Sequence, residues 1–257
     1  MDTMSLKHYR AFGPELVNIF NLQDHAEPVL HYWNKVNLFS KTRAVNRFKG
    51  FFEVCRFIDK HFSPVDGLEA YEHFLNSGGK LSNEGIRQAY QNAGHPIFAL
   101  AEQWSINVNK TIASIPLEDR IPFPHVYESI ETVYAVADIA VVSSANNAAV
   151  TAEWEQAGLT KFVNGIFTQE NGSKKQILAS LKQAGGYKDG RILKLGDAPG
   201  DLQAAQSNAV FFYPIIPEKE AESWLQFKTT YFPLFIDGRY AECEQQLIGR
   251  FYSELED

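Results

Sequence analysis

The rhythm of apolar residues changes once along this chain, near Pro116, and that change limits what it can fold into. Beyond it, short apolar runs alternate with helical stretches. "DIAVVSS" precedes "AAVTAEWEQAGL", "FVNGIFTQ" precedes "SKKQILASLKQAG", "ILKLGD" precedes "DLQAAQSN", and "AVFFYPII" follows. Brief apolar runs, each followed by a helix, predict parallel strands in a sheet covered on both faces.

Before Pro116 the text is different. "HYRAFGPELVNIFNL", "AEPVLHYWNKVNLFS", "RFKGFFEVCRFIDKHF", "GLEAYEHFLNSG", "NEGIRQAYQNAG" and "PIFALAEQWSINVNKTIASI" carry apolar residues at three- and four-residue steps, with Gly, Pro, Ser and Asn breaks between them. These predict helices, with Ser82 capping the one that opens at Asn83. The expected division is residues 1–13 as the start of an α/β core, 14–117 as an all-helical insert, and 118–257 as the rest of the core with a helical, aromatic-rich tail.

The 257 residues are 45% hydrophobic, enough for a sizeable core. A net charge of −7 argues against nucleic-acid partners, which need a basic face. No apolar run approaches the ~20 residues that cross a bilayer. "MDTMSLKHYR" has neither an apolar signal core nor a cleavage site, so the plain expectation is a cytoplasmic protein. Cys55 and Cys243 lie far apart and predict no zinc site or disulfide framework.

In parallel α/β sheets, ligands gather at the carboxyl ends of the strands. Three such ends carry polar groups here. "AVVSSANN" ends on Ser143 and Ser144, followed by Asn146. "NGSKKQIL" puts Lys174 or Lys175 at a helix start. "ILKLGDAPGD" puts Asp197 at a strand end and Asp201 in the next helix. Two carboxylates four residues apart across a Gly-containing turn suit a hard cation such as Mg²⁺. A hydroxyl beside free backbone N–H groups suits a phosphoryl oxygen, and a lysine adds fixed positive charge. Each piece alone is commonly structural; their order, one per β-α unit, carries the functional reading.

In that order the stretches resemble motifs of the haloacid-dehalogenase-like (HAD) superfamily, mostly phosphatases and phosphomutases. "IAVVSSANN" is similar to its second motif, "SKKQIL" loosely to its third, and "ILKLGDAPGDLQAA" to its fourth. The resemblance implies a Rossmann-like parallel core with a helical cap. It implies Ser143 and Lys174 as catalytic residues, with Asp197 and Asp201 as Mg²⁺ ligands. The substrate class it implies is a small phosphorylated metabolite, bound with help from Ser144 and Asn146. In the insert, Arg43, Asn46 and Arg47 have the spacing of one helical face, and Arg43 and Arg47 are expected to bind an anionic part of the substrate. A monomer or a homodimer fits equally well.

The family's first motif, an apolar strand ending D-x-D with the nucleophile as its first Asp, has no counterpart, because the chain contains no D-x-D. "MDTMSLKHYRAF" is similar to the segment that follows that motif. The expectation is therefore that the natural protein begins before Met1, and that these residues alone do not turn over. "YFPLFIDGRY" offers a second apolar run ending in Asp237, but Pro233 argues against a central strand there. The alternatives are a phosphomutase and a non-catalytic protein that binds a phosphorylated ligand or a protein partner.

Overall fold

The computed structural model describes all 257 residues. They divide into two compact units, Thr3–Pro116 with Asp257, and Met1–Asp2 with Leu117–Glu256. No helix is long and apolar enough to cross a membrane.

The first unit is helical. Its helices are α1 (Met4–Lys7), α2 (Gly13–Ile19), α3 (Ala26–Asn34), α4 (Arg47–His61), α5 (Leu68–Asn76), α6 (Asn83–Ala93) and α7 (Pro96–Ser114). A π-type turn at His8–Phe12 joins α1 to α2. Residues 3–13, expected with the α/β core, belong to this unit, and Ala11 and Phe12 are buried in its interior.

Aromatic residues dominate that interior, where each large ring removes much apolar area from water. Trp33 and Trp104 meet edge-on at 5.5 Å between ring centroids. The Trp104 indole N–H donates to the Phe12 carbonyl at 3.1 Å, so its polar atom is satisfied. Ser82 caps α6 as its sequence predicts, its Oγ accepting from the Gly85 N–H at 3.2 Å.

The second unit is α/β. After α8 (Val126–Tyr134) come β1 (Ala140–Val142), α9 (Asn147–Gln156), β2 (Gly165–Phe167), α10 (Lys174–Ala184), β3 (Leu193–Gly196), α11 (Pro199–Gln206) and β4 (Phe211–Pro214). The tail forms α12 (Glu220–Gln226), α13 (Phe232–Ile236) and α14 (Glu244–Ser253). All four expected strands form, and both pairs run parallel. β1 pairs with β2 in the register Ala140↔Gly165, and β3 pairs with β4 in the register Leu193↔Phe211. They make two two-stranded sheets, where the sequence suggested one continuous sheet.

The β3–β4 pair is clad on both sides. Leu178 of α10, Leu202 of α11 and Phe251 of α14 pack with Phe212, while Phe227, Phe232 and Tyr240 of the tail pack with Tyr213. The Tyr240 hydroxyl donates to the Phe212 carbonyl at 2.8 Å and the Tyr213 hydroxyl to the Ser223 carbonyl at 2.7 Å. The aromatic tail is thus core of its own unit. "YFPLF" is helical, with Pro233 in the first turn of α13, where its missing N–H costs nothing. Burial is uneven: three of the four residues of β4 are buried, whereas none in β1, β2 or β3 is.

Candidate functional site

Lys174 is the first residue of α10, whose start is fixed by a capping box. The Ser173 Oγ accepts from the Gln176 N–H, and the Gln176 side chain accepts from the Ser173 N–H. That start aims Lys174 at α11, where its Nζ donates to Asp201 Oδ1 at 2.9 Å. Asp201 lies in the first turn of α11, where the helix dipole also favours a carboxylate. The next residue in sequence, Lys175, is exposed.

A second lysine shares the acid. Lys194, in the middle of β3, reaches the same Asp201 oxygen at 3.0 Å, and its Nζ also donates to the Leu195 carbonyl at 2.8 Å. It lies outside the residues that the sequence motifs point to. The signal was present, because a lysine inside the apolar run "ILKLG" interrupts an otherwise buried strand pattern. Gly196 makes the arrangement possible: a Cβ there would lie 2.4 Å from the Asp201 Cβ.

The charges follow the geometry. Burial pushes the Asp201 carboxyl upward, but Lys194 and Lys174 outweigh it and hold the group down at about 2. Burial likewise pulls the Lys174 ammonium downward, and the charges of Asp201 and Asp197, with the Asp201 hydrogen bond, leave it above its ordinary value. Asp197 is therefore close enough to act on Lys174, and it is only half-buried.

At the end of β1, the Ser143 N–H donates to the Phe167 carbonyl at 2.9 Å, continuing the pairing with β2. The Ser143 Oγ accepts from the Ala145 N–H at 3.1 Å, which leaves its proton to donate. Ser144 is exposed. Asn146 caps α9, its Oδ1 accepting from the Ala149 N–H at 2.9 Å. Glu170, which the sequence did not single out, also stands at this helix start. It accepts from the Asn147 N–H at 3.3 Å and from the Thr168 hydroxyl. The structure thus brings Lys174 into contact with Asp201, and it shows no direct bond from Ser143, Ser144 or Asn146 to that pair.

In the helical unit, residues 41–44 form a turn, Asn46 is the cap and Arg47 opens α4, so the three residues do not share a helical face as their spacing predicts. Arg43 is buried and donates to the Leu38 carbonyl at 2.6 Å. Arg47 donates to Ser105 Oγ at 3.1 Å and Asn109 Oδ1 at 2.8 Å, and its guanidinium lies 4.9 Å from the centre of the Phe12 ring. Burial holds it below the ordinary arginine value. Both guanidinium groups are committed to contacts inside their own unit.

As a Mg²⁺ site the acidic pair is a poor fit. No group of three or more His, Cys, Asp or Glu side chains is arranged so that it could hold a metal ion. One of the two carboxylates is already neutralised by two ammonium groups on a single oxygen.

A family model described as haloacid dehalogenase-like hydrolase matches residues 46–214, a span holding all four strands and the residues Ser143, Lys174, Asp197 and Asp201. The chain belongs to that family. No curated protein matches it. The lysine–aspartate contact, between the starts of α10 and α11, lies within the matched span.

Proposed function

We propose that this chain is a HAD-like phosphohydrolase in which Ser143 and Lys174 receive the phosphoryl group of a small phosphorylated metabolite. The α/β unit is read as the Rossmann-like core and the helical unit as the cap. The observation that carries the reading is the half-buried Lys174, fixed on Asp201 where a parallel strand ends. A lysine held in that way offers a positive charge without reorganisation when an anion arrives. The Ser143 hydroxyl, with its acceptor side occupied by the Ala145 N–H, is oriented to donate to a phosphoryl oxygen.

Attack on phosphorus needs a nucleophile, and the D-x-D pair that the family resemblance assigns to that step is not among these residues. The residues present account for binding and charge, not for cleavage. Mg²⁺ belongs to the family reading of Asp197 and Asp201, but the doubly paired Asp201 does not support it and no step is derived through the metal. The lysine pairing favours a second reading, binding of a phosphorylated ligand without turnover.

Calorimetric titration with inorganic phosphate tests the common element. Binding should weaken at least ~10-fold in Lys174→Ala and in Ser143→Ala, the loss expected when one charge-assisted or oriented donor is removed. Phosphate binding unchanged in both variants would sink the assignment. Under either reading these residues alone are expected not to hydrolyse p-nitrophenyl phosphate, because the D-x-D pair is not among them, and measurable turnover would overturn that expectation.

A further inference from the structure

We propose that the Lys194 ammonium takes the place of a divalent cation on Asp201, so that this site draws its positive charge from two lysines and not from Mg²⁺. The consequence for phosphate rests on the reading above; the seat of the ammonium does not.

That seat is made of oxygens. The Lys194 Nζ lies 3.0 Å from Asp201 Oδ1 and donates to the Leu195 carbonyl at 2.8 Å. A carboxylate and a backbone carbonyl are the donors a hard cation takes, and here one ammonium holds both. Lys174 occupies the same Oδ1 at 2.9 Å. A carboxylate oxygen offers two lone pairs, and two ammonium groups use them. The other oxygen, Oδ2, is closed off by β3: it lies against Gly196, 2.8 Å from the point a Cβ there would take. With its side chain 3% exposed, Asp201 has no face left for an octahedral ion that keeps several of its waters.

The balance of charge says what Lys194 contributes. Lys174 and Asp201 alone cancel, and Asp197, whose charge acts on Lys174, would leave the group negative and repel an anion. Lys194 supplies the missing positive charge. Because both ammonium groups touch one atom, they stand no more than about 6 Å apart, a range over which charges in a partly buried site still act on each other and on a shared anion. Lys194 is therefore a positioning residue that acts through Asp201, freeing the charge of Lys174 for a phosphate.

The test uses the full chain, with MgCl₂ alone and inorganic phosphate as the probes. The wild type should show no change of Tm in millimolar MgCl₂. Lys194→Met removes the ammonium and leaves Asp201 Oδ1 and the Leu195 carbonyl open, so its Tm should rise by roughly 3 °C in the same MgCl₂. Lys194→Arg keeps the charge and should gain nothing. In EDTA, phosphate should bind Lys194→Arg as it binds the wild type, and Lys194→Met at least ~5-fold more weakly. Adding MgCl₂ should leave the wild-type affinity unchanged. A wild-type Tm that climbs with MgCl₂, or wild-type phosphate binding that requires it, overturns the proposal, and neither result depends on the folding of Lys194→Met. So does a folded Lys194→Met that takes up no Mg²⁺. Absence of phosphate binding to the wild type, with and without MgCl₂, would overturn the phosphate reading instead, and the MgCl₂ titrations would still decide what Lys194 replaces.

Discussion

Lys194 places its Nζ 3.0 Å from Asp201 Oδ1, the same oxygen that Lys174 holds at 2.9 Å. The carboxylate is almost fully enclosed, so it is the common counter-charge for two lysines that would otherwise face each other. Asp201→Asn should therefore cost about 3–5 kcal/mol in urea denaturation, the range for breaking a buried pair from one side. Lys194→Met should cost less, because Asp201 keeps Lys174. Equal effects from the two substitutions would mean that the carboxylate is not the centre of the arrangement.

Acid should destabilise the chain in two stages. The Trp33 indole N–H donates to His8 Nδ1 at 3.0 Å, which requires the ring to be neutral with Nδ1 unprotonated. Burial, then the charges of Arg43, Arg47 and Lys7, lower His8 from 6.5 to about 3. Between those values the unfolded chain binds the proton and the folded one does not, so stability rises with pH up to about 6.5 and falls as pH drops below it. The loss is a few kcal/mol at most. Asp201, lowered from 3.8 to about 2, adds its own loss as pH falls from 3.8 through 2. His8→Gln should flatten the upper stage in urea midpoints measured from pH 4 to 7; an unchanged slope would show that His8 does not govern it.

Which parts were legible follows from what the residues answer to. Strands and helices after Pro116 declare themselves because their apolar periodicity is local, and Ser82 is readable because a cap needs only its next few residues. Lys174 is readable as the first residue of a capped helix. Lys194 and Glu170 act through partners 7 and 23 positions away, Asp201 and Asn147, and no local pattern carries that. Arg43 and Arg47 misled for the converse reason. Their spacing suits a helix, but the backbone turns at 41–44, with Ala44 at a positive φ of 59°, before the helix begins. The split into two sheets is likewise invisible locally, since each strand reads the same whether one neighbour or two lie beside it.

Gly196 ties the strand to the acid. An added Cβ would sit 2.4 Å from the Asp201 Cβ and 2.5 Å from its Cγ, inside any tolerable contact. Gly196→Ala must therefore move β3 or push Asp201 off its lysines. The expected cost is about 1–3 kcal/mol, the range for overpacking a tight site. The same variant should lose phosphate binding, because Lys174 loses its anchor. Wild-type stability and phosphate affinity together would show that the close approach is dispensable.

Glu170 sets the charge at the start of α9. Its carboxylate accepts from the Asn147 N–H and the Thr168 hydroxyl, and the Thr168 hydrogen bond is the first of the causes that hold it below its ordinary value of 4.5. A helix start next to Ser143 is where a phosphoryl group would find free N–H donors, and Glu170 already stands there with a negative charge. Glu170→Gln keeps the shape and removes the repulsion, so inorganic phosphate should bind roughly fivefold more tightly to the variant at neutral pH, a gain typical of removing one exposed like charge near a helix start. The difference should close only below pH 4.5, where the wild-type carboxyl takes up its proton. Titration calorimetry across that range decides it: unchanged or weaker binding in the variant would place the phosphate away from the start of α9 and take Ser143 out of its reach.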